Sequence, residues 1–169
     1  MIASSLTNKN KSGEHLPMLR SKLNDALKYS VKNKDKIAVS TLRLILAALK
    51  DRDIAHRTVE ADDDGVGEPE ILKLLQSMIK QRKDSIDAYL KGGRKDLADN
   101  EAEEIEVIKR FLPEQMSTKE VADAVEDIIT KTGAKSIKDM GAVMGVLRTD
   151  YSGRMDFGSA SSLVKEKLS

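Results

Sequence analysis

Bond-making chemistry draws on a short set of side chains, and this sequence supplies them sparsely. None of its 169 residues is cysteine, so thiolate nucleophiles, thiolate metal sites and disulfides are excluded. There are two histidines, His15 and His56. His15 falls in a polar N-terminal stretch, and His56 near the end of a helical pattern, where it suits a helix C-terminus. One histidine in the folded part cannot build a histidine-based metal site alone. Ser159, Ser161 and Ser162 lack a base at a recognisable spacing, so helix starting or solvent exposure is the expected use of these serines. Glu101 and Glu104, and Glu103 and Glu106, are three apart. Carboxylates so spaced hold divalent metals in helical bundles when a Glu-x-x-His motif accompanies them, and no His is here. A solvated acidic face, with Glu106 paired to Arg110 four residues on, is expected instead. Catalytic residues, metal and cofactor are all expected to be none.

Cations and glycines carry more information. Lys36, Arg43, Lys50 and Arg57 recur every seven residues, a repeat that drifts only about 20° per step on a straight helix. They share one broad stripe, and Lys28, Lys32 and Lys34 add charge just before it. Phosphates favour such an array, because each contact releases counterions. Arg43, flanked by leucines, is expected to be partly buried against an acid of the fourth helix. In "IKQRKDSIDAY", Lys80–Asp84 and Lys83–Asp87 read as helical ion pairs. In "KDMGAVMGVLRTDYSGR", Gly141 and Gly145 sit four apart inside a helical pattern, at about 1 kcal/mol each relative to alanine. They make room for something. Close approach of the last helix is the default expectation, and a sugar-phosphate or stacked base is the other. Lys135, Lys138, Arg148 and Arg154 are the nearest cations.

The elements that must position these residues are all helical. Apolar spacing predicts seven helices. The first covers about 16–31. The second, capped by Asp35, reaches His56 with Val39, Leu42, Leu46 and Leu49 inward and Ile45 beside them. "RTVEADDDGVGEP" is a loop. The third has Pro69 in its first turn and ends at "KGG". The fourth covers about 95–111 and stops at Pro113. Ser117 with Glu120 forms a capping box for the fifth, which Gly133 closes. Ser136 with Asp139 opens the sixth, and Asp156 caps the seventh. No alternation bounded by hairpin turns survives. The expected fold is all-α: a disordered tail over 1–15, a four-helix domain over 16–112, and a three-helix C-terminal domain over 113–169.

Composition bounds the rest. No Trp and only two Phe leave a core of Leu, Ile, Val, Met and Ala, and scarce aromatics argue against single-strand stacking. The net charge of +1 is uneven: residues 1–60 carry 12 Lys/Arg against 6 Asp/Glu, which is compatible with an anionic partner. No apolar run approaches the roughly 20 residues that span a bilayer, so no membrane partner is expected. "MIASSLTNKNKSGEHLP" lacks the apolar core of a signal peptide and, without arginine, makes a poor mitochondrial presequence. A cytoplasmic location is expected.

"TLRLILAALK", "LLQSMIKQRKDSIDAYLKGGRKDLADNEAEEIEVIKRFLPEQMS", "TGAKSIKDMGAVMG" and "GRMDFGSASSLVKEKL" together resemble the YqeY family, in order from about residue 17 to 168. That family is similar to the C-terminal tail of GatB, the B subunit of the tRNA-dependent aspartyl/glutamyl amidotransferase. The resemblance implies a helical bundle followed by a small three-helix domain, and a tail that holds tRNA while kinase and amidase chemistry sits elsewhere. Carbon–nitrogen ligase activity with glutamine as amido donor would belong to the larger enzyme, not to this chain by itself. GatB tails usually carry a lysine shortly after the Asp or Asn of the last motif. Here Asp156 is followed by Phe157, Gly158 and Ser159.

The expected function is thus a stand-alone, non-catalytic module binding tRNA through Lys135, Lys138, Gly141, Gly145, Arg148 and Arg154, with Lys36, Lys50 and Arg57 as a second basic stripe. RNA recognised by shape needs cations and close backbone approach more than base-reading side chains. The resemblance carries the RNA-facing surface to Lys138, Gly141, Gly145 and Arg154 in particular. The alternative is a protein–protein adaptor that docks on an amidotransferase or synthetase subunit.

Overall fold

The computed structural model describes residues 18–57 and 65–169. The tail expected over 1–15, with His15, and residues 58–64 of the acidic loop lie outside them. Among the described residues there are seven α-helices, one 3-10 turn and no strand, so the fold is all-α. The chain packs as two compact units that divide between Ile71 and Leu72, within the third helix. Pro113 lies inside the second unit, between the fourth and fifth helices.

In the first unit, α1 (Leu19–Lys32) and α2 (Lys36–Arg57) form an antiparallel hairpin. Asp35 caps α2 by accepting from the Ala38 N–H at 3.1 Å, which satisfies one of the donors a helix start leaves open. The buried face of α2 is Ala38, Thr41, Leu42, Ile45 and Leu49. It is centred on Ile45, with Val39 and Leu46 only half-buried. At the open end of the hairpin, Arg20 clamps Asp53 with two hydrogen bonds of 2.6 and 3.0 Å, and its Nη2 also donates to the Val66 carbonyl at 3.1 Å. The Val66 N–H donates to Asp53 Oδ1, and the Leu19 N–H to Glu68 Oε1. Such bidentate, charge-assisted bonds are about twice as strong as neutral ones. The Arg20 guanidinium and the Val66 N–H hold the Asp53 carboxyl below the usual carboxylate range.

The third helix, α3 (Glu68–Lys91), stops where Gly93 takes the left-handed conformation (φ 71°). Beyond it, α4 (Lys95–Lys109) is tied to α3 by Arg82, which is 9% exposed and donates from Nε to Glu104 at 2.8 Å and from Nη1 to the Met78 carbonyl at 3.2 Å.

Next come α5 (Thr118–Thr132), a 3-10 turn (Ile137–Asp139), α6 (Met140–Asp150) and α7 (Phe157–Leu168). The capping box of α5 is present in both directions: Ser117 N–H to Glu120 at 2.6 Å, and Glu120 N–H to Ser117 Oγ at 3.2 Å. These helices share one apolar cluster: Ala124, Val125 and Ile128 of α5, Val143, Met144 and Leu147 of α6, Ala160, Val164 and Leu168 of α7, with Met155 from the connection. Burial of each larger side chain here contributes roughly 1.5–3 kcal/mol. This cluster fixes which face of α6 is turned outward.

Candidate nucleic-acid interface

Because Val143, Met144 and Leu147 point into the cluster, the opposite side of α6 is exposed, and it carries Gly141, Gly145 and Arg148. Their spacing of four and three residues places them one above another on a helix. Lys138, three residues before Gly141 in the 3-10 turn, is exposed too. A Cβ added at either glycine would meet no neighbour within 4 Å. The expectation that α7 approaches through these glycines is therefore overturned. The close contact between α6 and α7 runs through the buried face, where Ala160 supplies the small residue. The glycines form a bare strip open to solvent, with Lys138 at one end and Arg148 at the other.

Lys135 is exposed just before the 3-10 turn, and its backbone N–H donates to Asp139 Oδ2 at 2.9 Å, beside the Ser136 N–H at 3.1 Å. These two N–H groups hold the Asp139 carboxyl below its ordinary range. Arg154 has a different environment. Its guanidinium lies 6.0 Å over the Tyr151 ring, and its Nε donates to the Glu114 carbonyl at 3.3 Å. It lines a shallow hollow with Glu120, Asp123 and Asp127 of α5, so its charge acts beside carboxylates and, together with the Ser117 N–H, helps hold the Glu120 carboxyl below its ordinary range.

On α2, Lys36, Arg43, Lys50 and Arg57 are all exposed. The stripe spans about 31 Å at 1.5 Å per residue. Arg43 is thus not buried against α4; Arg82 of α3 takes that position, against Glu104. Nothing in the sequence singles out Arg82, because its neighbours Lys80 and Lys83 are charged as well.

Other readings resolve locally. Glu106 pairs with Lys109 at 3.2 Å rather than with Arg110. Ser159 Oγ donates to Asp156 Oδ2 at 2.7 Å, and Asp156 also accepts from the Gly158 and Ser159 N–H groups, so this serine helps start α7. Among the described residues, no group of three or more His, Asp or Glu is placed to hold a metal ion, and no helix is long and apolar enough to cross a membrane.

These features define an all-α helical-bundle protein with an exposed helix face that is interrupted by glycine and flanked by cations. The chain belongs to the family of Yqey-like proteins, whose model matches residues 20–168. It is similar to altered inheritance of mitochondria protein 41, mitochondrial, of Vanderwaltozyma polyspora: 32% identical over 121 residues, 68% of this chain and 62% of that protein. The protein of the same name from Lachancea thermotolerans is 32% identical over 107 residues, 62% of this chain and 54% of that protein. An uncharacterized protein of Schizosaccharomyces pombe is 31% identical over 102 residues, 60% of this chain and 78% of that protein. The chain thus spans between about half and two thirds of the length of the two relatives named mitochondrial. Those names correct the cytoplasmic expectation, which rested on an N-terminal stretch outside the described residues.

Proposed function

We propose that this chain is a stand-alone helical module that binds tRNA by shape, through backbone and sugar-phosphate contacts, and acts in mitochondria. The observation that carries the reading is the bare Gly141–Gly145 strip, open to solvent between Lys138 and Arg148. Among the described residues nothing packs against these glycines, and a helix face without side chains lets a polynucleotide backbone approach closely. Two cations at the ends of the strip suit phosphates on either side of the contact, and the α2 stripe of Lys36, Lys50 and Arg57 offers a second basic surface. The family's similarity to the GatB tail supports the same ligand and a role beside glutamine-dependent amidotransferase chemistry, with bond formation left to other proteins. The mitochondrial site of action follows the names of the relatives.

The test is a titration of labelled tRNA at several salt concentrations. If about three phosphates are neutralised, a fourfold rise in salt weakens binding on the order of 40-fold. Lys138→Glu and Arg148→Glu are expected to weaken binding strongly and Arg154→Glu less, because Arg154 already lies among carboxylates. Absence of binding at low salt overturns the proposal.

A further inference from the structure

The second unit contains a groove that the tRNA reading does not use. It is a cavity of about 440 Å³ between α3, the end of α4, the connection to α5 and the start of α7. Its apolar lining comes from Ile79, Leu112 and Phe157. Its charged rim is Lys73, Lys80 and Lys83 of α3 with Lys109 of α4. Lys73, Lys80 and Lys83 sit at i, i+7 and i+10, one face of the helix over about 15 Å.

The walls are built in advance. Gln76 donates to the Met155 carbonyl at 2.9 Å, and Gln115 to the Gly153 carbonyl at 2.6 Å and the Pro113 carbonyl at 2.8 Å. Gly153 has φ 74°, and a Cβ there would lie 3.0 Å from the Leu72 side chain. Only glycine lets the turn before α7 close against α3 so tightly.

The charge balance selects the occupant. Among the described residues, no carboxylate lies within ion-pair distance of Lys73, Lys80 or Lys83. The pairs expected with Asp84 and Asp87 do not form. Lys109 is shared with exposed Glu106. The one acid on the rim, Asp156, is engaged in capping α7. The Ser159 hydroxyl holds the Asp156 carboxyl below the ordinary range, and Lys80 lies close enough for its charge to help. Lys73 and Lys83 have no ion-pair partner among the described residues, so the rim is net cationic around an apolar floor and complements an acidic group joined to an apolar body. The volume falls within the roughly 300–1,000 Å³ of small-molecule sites, and buried apolar area supplies affinity that the charges then orient.

We propose that this groove binds a small amphipathic organic anion, a carboxylate or phosphate monoester on an apolar body, with its acidic group among Lys73, Lys80 and Lys83 and its body over Ile79, Leu112 and Phe157. The site is independent of the α6 strip.

The experiment is an amide chemical-shift titration of the full chain with octanoate and with octyl phosphate, each below its micellar concentration. Acetate and octanol serve as the head-only and tail-only controls. Saturable shifts confined to residues 73–83, 109–115 and 153–158 are expected with one or both amphiphiles; which of them binds more tightly identifies the head group. The double variant Lys80→Glu, Lys83→Glu changes two exposed residues and is expected to weaken binding roughly tenfold or more, as loss of charge-assisted hydrogen bonds implies. Octanol binding as tightly as octanoate, shifts centred elsewhere, an unaffected double variant, or saturation only by an acidic peptide or by tRNA each overturns it.

Discussion

Replacing Gly145 with alanine separates the two explanations for a glycine in the middle of α6. Gly145 is the sixth of eleven helical residues, so the full interior penalty applies: glycine is about 0.8–1.0 kcal/mol less favourable than alanine in a helix. A Cβ there meets nothing within 4 Å, so no steric cost offsets the gain. Gly145→Ala is therefore expected to stabilise the protein by close to 1 kcal/mol. For a chain of this size that is a rise in Tm of about 2–4 °C, readable in a thermal melt followed by circular dichroism and checked by urea denaturation. Gly141→Ala should give less, since Gly141 is the second helical residue, where glycine costs less. The same Gly145→Ala protein should bind tRNA more weakly, because the methyl group fills the space the polynucleotide backbone needs. A protein that is more stable yet a poorer binder marks a position kept bare for a ligand. A fall in Tm would refute the reasoning, since it would mean that some part of the molecule or a second copy rests on the strip.

Two further perturbations probe the ion pairs that hold the units together internally. Arg82→Met leaves Glu104 partly buried without its donor, so a loss of about 2–3 kcal/mol is expected in urea unfolding. The double change Arg82→Met, Glu104→Leu should recover much of it, because no charge is then stranded. Asp53, whose folded-state pKa is depressed chiefly by the hydrogen bonds from Arg20, contributes stability that is complete above its unfolded pKa of about 3.9. That contribution is lost as pH falls through the lower folded value. Stability measured from pH 6 down to 2.5 should therefore drop below about pH 4, and Asp53→Asn should be less stable at pH 6 with a shallower acid slope. An unchanged slope would remove Asp53 from the account.

Local signals marked the elements well because they act over three or four residues. Asp35, the Ser117–Glu120 box, Gly133 and Asp156 delimit helices in the structure as their chemistry requires. The sixth helix differs slightly: its first turn, Ile137–Asp139, is a 3-10 turn. The seven-residue period of the α2 cations was legible too, but the exposure of Arg43, which its flanking leucines led us to expect buried, was not. Long-range pairing was not legible. Arg20 and Asp53 are 33 residues apart and Arg82 and Glu104 are 22 apart, and no spacing rule selects one arginine over its charged neighbours.

The sequence by itself determined the helical class, the ends of most helices and the presence of two glycines that a helix would not choose. Those are consequences of backbone preference, capping and hydrophobic period, which the chain carries in each short window. Which side of α6 the glycines occupy, that Arg82 rather than Arg43 is the buried arginine, and that three lysines of α3 ring an apolar groove were decided only by tertiary structure. Each depends on which distant surface removes which face from water, and burial is shared among segments that no local pattern joins.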